Sequence, residues 1–240
     1  GLAALPGRSG ATHSDFDMFH TVAQLALAGR LAEAYDLQAM LAAQIEFGGA
    51  PSAMTWTYPP PFDLVLAPLG LLGREAAYLV FTGGGVALYL VATARLAGPH
   101  AGLALFGALP AALMSVRTGQ NGCLMAALAA LAGLAVLSGR RGRAGLPLGL
   151  MVLKPHLGIG LGVWALASAS WRTIVLAALV AALACAAATA AFGPGIWGIF
   201  LAAVGEAGAQ LEAGAYQNHR MASLHAALTS LGLPHGMAAA

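Results

Sequence analysis

Two carboxylates and a histidine lie within seven residues near the start of the chain, in the stretch SDFDMFH that contains Asp15, Asp17 and His20. Other polar side chains follow at the junctions of apolar segments; in chain order they are Tyr58, Arg117, Gln120, Asn121, Lys154 and His156. A carboxylate can remove the proton of a hydroxyl group, and cations can stabilise a departing phosphate. These residue types therefore suit transfer from an acidic or phosphorylated substrate to a hydroxyl acceptor.

The composition is that of an integral membrane protein. The chain has 240 residues, of which 59% are hydrophobic and 8% are charged, whereas soluble domains carry about 25% charged residues. No carboxylate occurs in the 130 residues between Glu75 and Glu206. A charge at the centre of a bilayer costs about 2.5–3.5 kcal/mol or more, so this gap indicates a hydrocarbon environment.

The charges and cysteines give no indication of several classes of partner. A net charge of +2, with no basic run that contains aromatic residues, gives no indication of a nucleic-acid partner. Cys123 and Cys185 both lie in apolar segments and lack CxxC spacing, so neither a disulfide nor a metal site is indicated. We predict no metal and no other cofactor.

The apolar segments predict an all-α fold, a multi-pass transmembrane helical bundle in one membrane domain, 1–240. Residues 14–61 are expected to form an extracytoplasmic loop with amphipathic surface helices broken at Gly29, and the three prolines after Tyr58 to exclude helix there. Residues 62–73 are too short to cross, so an interfacial or re-entrant helix is expected. Transmembrane helices are expected over 76–192, with two short segments meeting at Lys154, and a loop and the start of a further helix over 193–240. The chain does not begin with Met, and further helices are expected upstream and downstream. Trp56, Trp164, Trp171 and Trp197 fit interface anchors.

The basic residues predict which candidates share a side of the membrane. The cluster GRRGR is expected in the cytoplasm by the positive-inside rule. Counting crossings from it places all the polar candidates above, together with Tyr216–Arg220, on the extracytoplasmic side. Arg95, Arg140, Arg141, Arg143 and Arg172 are then on the opposite side.

An ordered set of motifs resembles glycosyltransferase family 87: DFDMF, LALAG followed by AYD, YPPPF followed by APLGLL, then GQNG and KPHLG. The resemblance runs from about Asp15 to about Pro194. It implies a C-type glycosyltransferase fold and transfer of a hexose, typically mannose, from a polyprenyl-phosphate sugar donor to a lipid or glycan acceptor. It also implies a bacterial inner membrane location, surrounding membrane lipids as partners, an inverting mechanism with Asp15 as the base, and basic residues that hold the lipid phosphate.

Most of the candidate residues also have a structural explanation. Asp15 could cap the first helix, and the negative charge of Asp17 could interact favourably with the positive end of the helix dipole. Tyr58, with the prolines that follow it, could merely set the direction of the chain. Gln120 and Asn121 could cap a helix, and Arg117 could be an interfacial residue. No structural role is assigned to His156, and Lys154 between two half-helices has few structural explanations.

The alternative functions are a transporter or flippase component for a lipid-linked or anionic substrate, and a non-catalytic assembly protein. A transporter predicts an internal repeat, and the sequence shows none.

Overall fold

The computed structural model describes residues 14–48, 51–52, 54–213 and 231, and the regular structure in these residues is helical, with no strand. The all-α prediction is confirmed. The α-helices, in chain order, are α1 (Ser14–Leu27), α2 (Leu37–Glu46), α3 (Pro60–Leu66), α4 (Arg74–Tyr78), α5 (Gly84–Ala97), α6 (Ala101–Thr118), α7 (Gly122–Leu137), α8 (Gly145–Leu150), α9 (Pro155–Ala167), α10 (Trp171–Phe192) and α11 (Ile196–Glu212).

The first part of the chain is interrupted where the sequence indicates. Gly29 has a φ of +70° after α1, a left-handed conformation that glycine adopts without steric cost. A 3₁₀ turn, Leu31–Tyr35, follows. Asp36 then caps α2, since its side chain accepts a hydrogen bond of 2.7 Å from the backbone nitrogen of Ala39.

The prediction that the prolines exclude helix after Tyr58 is wrong for the second and third prolines. Helix α3 begins at Pro60, with prolines in its first turn. Proline is tolerated there because the first backbone N–H groups of a helix have no intrahelical acceptor. The helix tightens to a 3₁₀ turn, Ala67–Leu71, that includes Pro68. This apolar helix of Pro60–Leu71 is about 18 Å long, which is too short for a bilayer core of about 30 Å.

Within the described ranges, two helical stretches are long and apolar enough to cross a membrane: Arg74–Thr118, with 45 residues, and α10. The first is not one straight helix, because Gly98 has a φ of +53° between α5 and α6, and these two helices pack against each other. The other expected spans are shorter helices: α7 has 16 residues and α9 has 13. A multi-pass arrangement therefore stays a prediction.

The core around α1 is aromatic. Phe19 makes edge-to-face contacts with Trp56, Tyr58 and Phe62, with ring centroids 5.3–5.7 Å apart. Trp56 is buried with only 1% of its surface exposed, so the expectation that it anchors the membrane interface is wrong for this tryptophan. The cluster fixes the loop that carries Tyr58 against α1.

The turn between α6 and α7 packs directly on α1. Gly119 has a φ of +72°, and any side chain there would collide with the Cβ atom of Phe16. This close approach holds Gln120 and Asn121 beside the first turn of α1. A third junction, the break between α8 and α9, carries Lys154 to the same region.

Candidate active site

Lys154 is the centre of a polar cluster built from three separate parts of the chain. It lies between the 3₁₀ turn Met151–Leu153 and α9, with a φ of −151° and a ψ of 75°, outside the helical region that a following proline disfavours. Its Nζ donates hydrogen bonds of 3.1 Å to Tyr58 Oη and 3.2 Å to Asn121 Oδ1. The same ammonium group lies 5.2 Å from the centroid of the Tyr58 ring.

Tyr58 connects this cluster to the turn between α6 and α7. Its hydroxyl donates a hydrogen bond of 3.3 Å to Gln120 Oε1 while it accepts the one from Lys154. Four of the predicted site residues, namely Tyr58, Gln120, Asn121 and Lys154, are thus in contact although up to 96 positions separate them.

Asp15 lies in the first turn of α1 and is buried with 8% exposure. Burial raises the pKa of Tyr58, and the negative charge of Asp15 raises it further. Burial lowers the pKa of Lys154, and the charge of Asp15 opposes this effect. The carboxylate of Asp15 is therefore near enough to act electrostatically on both groups, so the site pairs one acid with one cation.

Asn121 contributes a buried hydrogen-bond donor. Its side chain is 1% exposed, and among the described residues its amide nitrogen has no hydrogen-bond partner. A buried donor without an acceptor costs about 1–3 kcal/mol. An oxygen of a bound substrate could remove that cost.

Asp17 and His20 attach α1 to the start of α4. Arg74 Nε donates a hydrogen bond of 2.6 Å to Asp17 Oδ1 in an ion pair whose carboxylate side chain is 6% exposed. His20 Nε2 lies 3.1 Å from the carbonyl oxygen of Leu72. The carboxylate of Asp17 is thus engaged by Arg74, a residue that no sequence pattern indicated. A substrate-binding role for Asp17 stays a prediction.

Arg117 and His156 are close in the chain to residues of the cluster, Arg117 before Gln120 and His156 after Lys154. Arg117 is exposed in the last turn of α6. His156 is exposed at the start of α9, and burial together with the neighbouring charge of Lys154 lowers its pKa. Their substrate-binding roles stay predictions, and Tyr216–Arg220 lies outside the described residues.

A second acid behind the cluster, Asp63, was not singled out by the sequence. It is fully buried in α3, where Trp56 Nε1 donates to its Oδ1 at 3.0 Å and the Tyr35 hydroxyl lies 2.6 Å from its Oδ2. That hydroxyl also lies 3.0 Å from the carbonyl oxygen of Tyr58. A single hydroxyl proton cannot serve both acceptors. If Asp63 is protonated, it can donate to Tyr35, which then donates to Tyr58.

Burial raises the pKa of Asp63 well above its usual range, although its hydrogen bonds to Tyr35 and Trp56 oppose this shift. The folded protein therefore holds a proton on Asp63 at pH values where the unfolded chain, with a pKa of about 3.9, has lost it. Stability should then fall as the pH rises from about 4 through the folded pKa. No pattern in the sequence marks Asp63, because its partners come from other segments.

We expect Asp63→Asn to remove this part of the pH dependence, because the amide mimics the protonated acid and cannot titrate. Its unfolding temperature should match the wild type at pH 5 and exceed it at pH 8. Asp63→Ala should be destabilised at both pH values, by about 1–3 kcal/mol for each unpaired buried group. The exposed cap variant Asp36→Asn serves as control. If the Asp63→Asn variant were less stable than wild type at both pH values, the ionised carboxylate would be required.

An apolar cavity of about 420 Å³ lies beside the break that carries Lys154. It is lined by Val152 and Pro155, which lie close to Lys154 on either side in the chain, and by small and aliphatic residues of α9 and α10. The described part of the chain has no group of three His, Cys, Asp or Glu side chains that could hold a metal ion. The site combines a cation, an acid and neutral donors with an adjacent hydrocarbon-lined space.

The comparisons with known proteins give one family. The sequence model of glycosyltransferase family 87 matches residues 56–240, well over half of the chain. The match includes Tyr58, Gln120, Asn121 and Lys154 but begins after Asp15, so it covers a later segment than the resemblance seen in the motifs. Among curated proteins and solved structures, none matches the chain significantly.

Proposed function

This chain belongs to glycosyltransferase family 87, and we propose that it moves a hexose, mannose in the first instance, from a polyprenyl-phosphate donor to a hydroxyl of a lipid or glycan acceptor. The family membership makes it a glycosyltransferase. The observation that supports the finer proposal is the cluster in which Lys154, Tyr58 and Asn121 are in contact and the charge of Asp15 acts on two of them.

Each group in the cluster has a role in this reaction. Asp15 takes the proton of the acceptor hydroxyl as its oxygen attacks the anomeric carbon of the donor sugar. The bond from that carbon to the phosphate oxygen breaks, and the polyprenyl phosphate leaves with both bonding electrons. Lys154 stabilises the negative charge of the leaving phosphate, and the unpaired amide of Asn121 donates to a donor oxygen. Attack opposite the leaving group inverts the anomeric configuration.

The surroundings of Lys154 favour a lipid-linked donor over a soluble sugar nucleotide. The apolar cavity lined by Val152 and Pro155 adjoins the break that presents this lysine, so a phosphate at Lys154 can place a prenyl chain on an apolar wall. The remaining substrate-binding candidates of this proposal are Asp17, Arg117, Gln120 and His156. The enzyme would be a multi-pass protein of the bacterial inner membrane that works at its extracytoplasmic face and serves the cell envelope.

Donor competition tests this proposal. Membranes containing the full chain should transfer labelled hexose from a polyprenyl-phosphate hexose and release polyprenyl phosphate, and should not use a nucleoside-diphosphate hexose directly. The product anomer, determined by NMR, should be opposite to that of the donor. Transfer from the nucleotide sugar alone would overturn the donor assignment, and a retained anomer would overturn the direct displacement. Movement of the lipid-linked sugar across vesicles without a glycoside product would support the transporter alternative instead.

A further inference from the structure

A second cavity, of about 750 Å³, lies where α7 and α9 end and α10 begins. Four arginines line it: Arg140, Arg141, Arg143 and Arg172. Helix α9, with 13 residues, runs from Lys154 toward this cavity, so the two sites are separated by about 20 Å along its axis. The arginine cavity is thus distinct from the candidate active site.

Two turns bring the arginines together. Gly139 follows α7 with a φ of +72°, and Ala169 follows α9 with a φ of +49°. Thr173 Oγ1 in α10 donates a hydrogen bond of 2.7 Å to the carbonyl oxygen of Arg141. A Cβ atom added to Gly142 would lie 3.4 Å from the Cβ of Arg172. The two basic segments are therefore in direct contact, and their four arginines line one cavity.

No carboxylate lines this cavity. In the ranges that the structure describes, the ion pairs to carboxylates are made by Arg30 and Arg74, so none involves these four guanidinium groups. Four like charges around one cavity repel one another, and an anion bound there reduces that repulsion. Ser168 and Ser170 hydroxyls and the positive end of the 22-residue α10 also lie at the cavity, and all of these favour negative charge.

Exposed apolar side chains lie in and next to the segments that line the cavity. Trp171, with 65% exposure, opens α10, and Leu137, with 75% exposure, lies at the end of α7. Because α10 is a candidate membrane span, its first residues lie at the level of lipid headgroups when it crosses. We propose that the arginine cavity binds the phosphate of an anionic membrane lipid, with the exposed apolar side chains against its acyl chains.

Lipid binding to the purified full chain tests this proposal. In native mass spectrometry, the protein should bind phosphatidylglycerol more tightly than phosphatidylcholine with the same acyl chains. Arg143→Gln and Arg172→Gln should each weaken phosphatidylglycerol binding about fivefold, and the quadruple Arg→Gln variant by at least about a hundredfold. These side chains are exposed, so folding should tolerate the changes, and unfolding temperatures verify this.

The controls separate a lipid site from a general charge effect and from a site for soluble phosphate. Arg95→Gln removes an exposed arginine from the end of α5, outside the cavity, and should change binding less than twofold. Arg143→Lys keeps the charge and should retain most of the affinity. Equal loss in the Arg95→Gln variant, or wild-type binding in the quadruple variant, would overturn the site. Displacement of phosphatidylglycerol by inorganic phosphate at equal concentration would show a soluble phosphate site and overturn the lipid assignment.

Discussion

Asp15→Asn should lower kcat for sugar transfer by about 10²–10⁴-fold, because it removes the group that accepts the acceptor proton. Asparagine has almost the same volume as aspartate, and the side chain lies in the first turn of α1. If Asp15 only complemented the helix dipole, its loss would cost about 0.3–1 kcal/mol of stability and leave transfer intact. Transfer rates and unfolding temperatures of the same protein sample therefore separate the two roles.

A third role for Asp15 is indirect, through Lys154. The charge of Asp15 raises the pKa of Lys154 against the effect of burial, so Asp15→Asn should lower that pKa. If activity were lost only because Lys154 had deprotonated, a lower pH would restore the proton and the activity. If Asp15 is the base, the Asp15→Asn variant should stay inactive at every pH at which the wild type works. Recovery of transfer at low pH would contradict the assignment of Asp15 as base.

Asp36→Asn is the matched control for this experiment. Asp36 is also an aspartate at a helix start, but it is exposed, and its side chain caps α2. Asparagine is an equally good cap, so this variant should transfer sugar at the wild-type rate. A comparable loss of activity in the Asp36→Asn variant would indicate a general effect of the substitution on folding.

The sequence predicts local features of this fold well and contacts between distant residues poorly. Apolar runs and glycines in left-handed conformations depend only on residues nearby in the sequence. The sequence therefore predicts the apolar helix α10, the break at Gly29 and the break at Lys154. The ion pair of Asp17 with Arg74 joins positions 57 residues apart. Nothing in local spacing indicates such a pair, because α1 and α4 meet only through packing.

The sequence predicts part of the candidate site and does not indicate one of its buried acids. The count of membrane crossings and the order of the motifs place four residues in one site, namely Tyr58, Gln120, Asn121 and Lys154. The structure brings these four into contact. The sequence does not indicate Asp63, because a single acid in an apolar helix forms no recognisable pattern. Its Tyr35 and Trp56 partners are supplied by tertiary structure. Buried acids with neutral partners are therefore found from coordinates.

Lys154→Gln should weaken the use of the polyprenyl-phosphate donor by about a hundredfold in kcat/KM. A hydrogen bond to a charged group contributes about 1.5–3 kcal/mol, and the lost charge also acts on the departing phosphate. The glutamine amide can still donate to Tyr58 and Asn121, so the cluster should keep its geometry. Arg95→Gln, at an exposed position in α5, controls for loss of one positive charge.

The two contributions of Lys154 can be separated by kinetics. Loss of ground-state binding raises KM for the donor, whereas loss of charge stabilisation in the transition state lowers kcat. We expect both parameters to change, since the donor phosphate is negative before transfer and more so as it leaves. An unchanged KM with a lower kcat would place Lys154 at the leaving oxygen only. Unchanged values of both would overturn its role in the site.

A direct test of contact uses the fact that Lys154 is the only lysine in the sequence. Because burial lowers the pKa of its amine, a larger fraction is unprotonated at mildly alkaline pH than for an ordinary lysine, and an acylating reagent should modify it. Polyprenyl phosphate should protect Lys154 from acylation, as measured by peptide mass spectrometry, and uncharged polyprenol should not. Equal protection by both would mean that the chain alone covers the amine, and protection by neither would place the phosphate elsewhere.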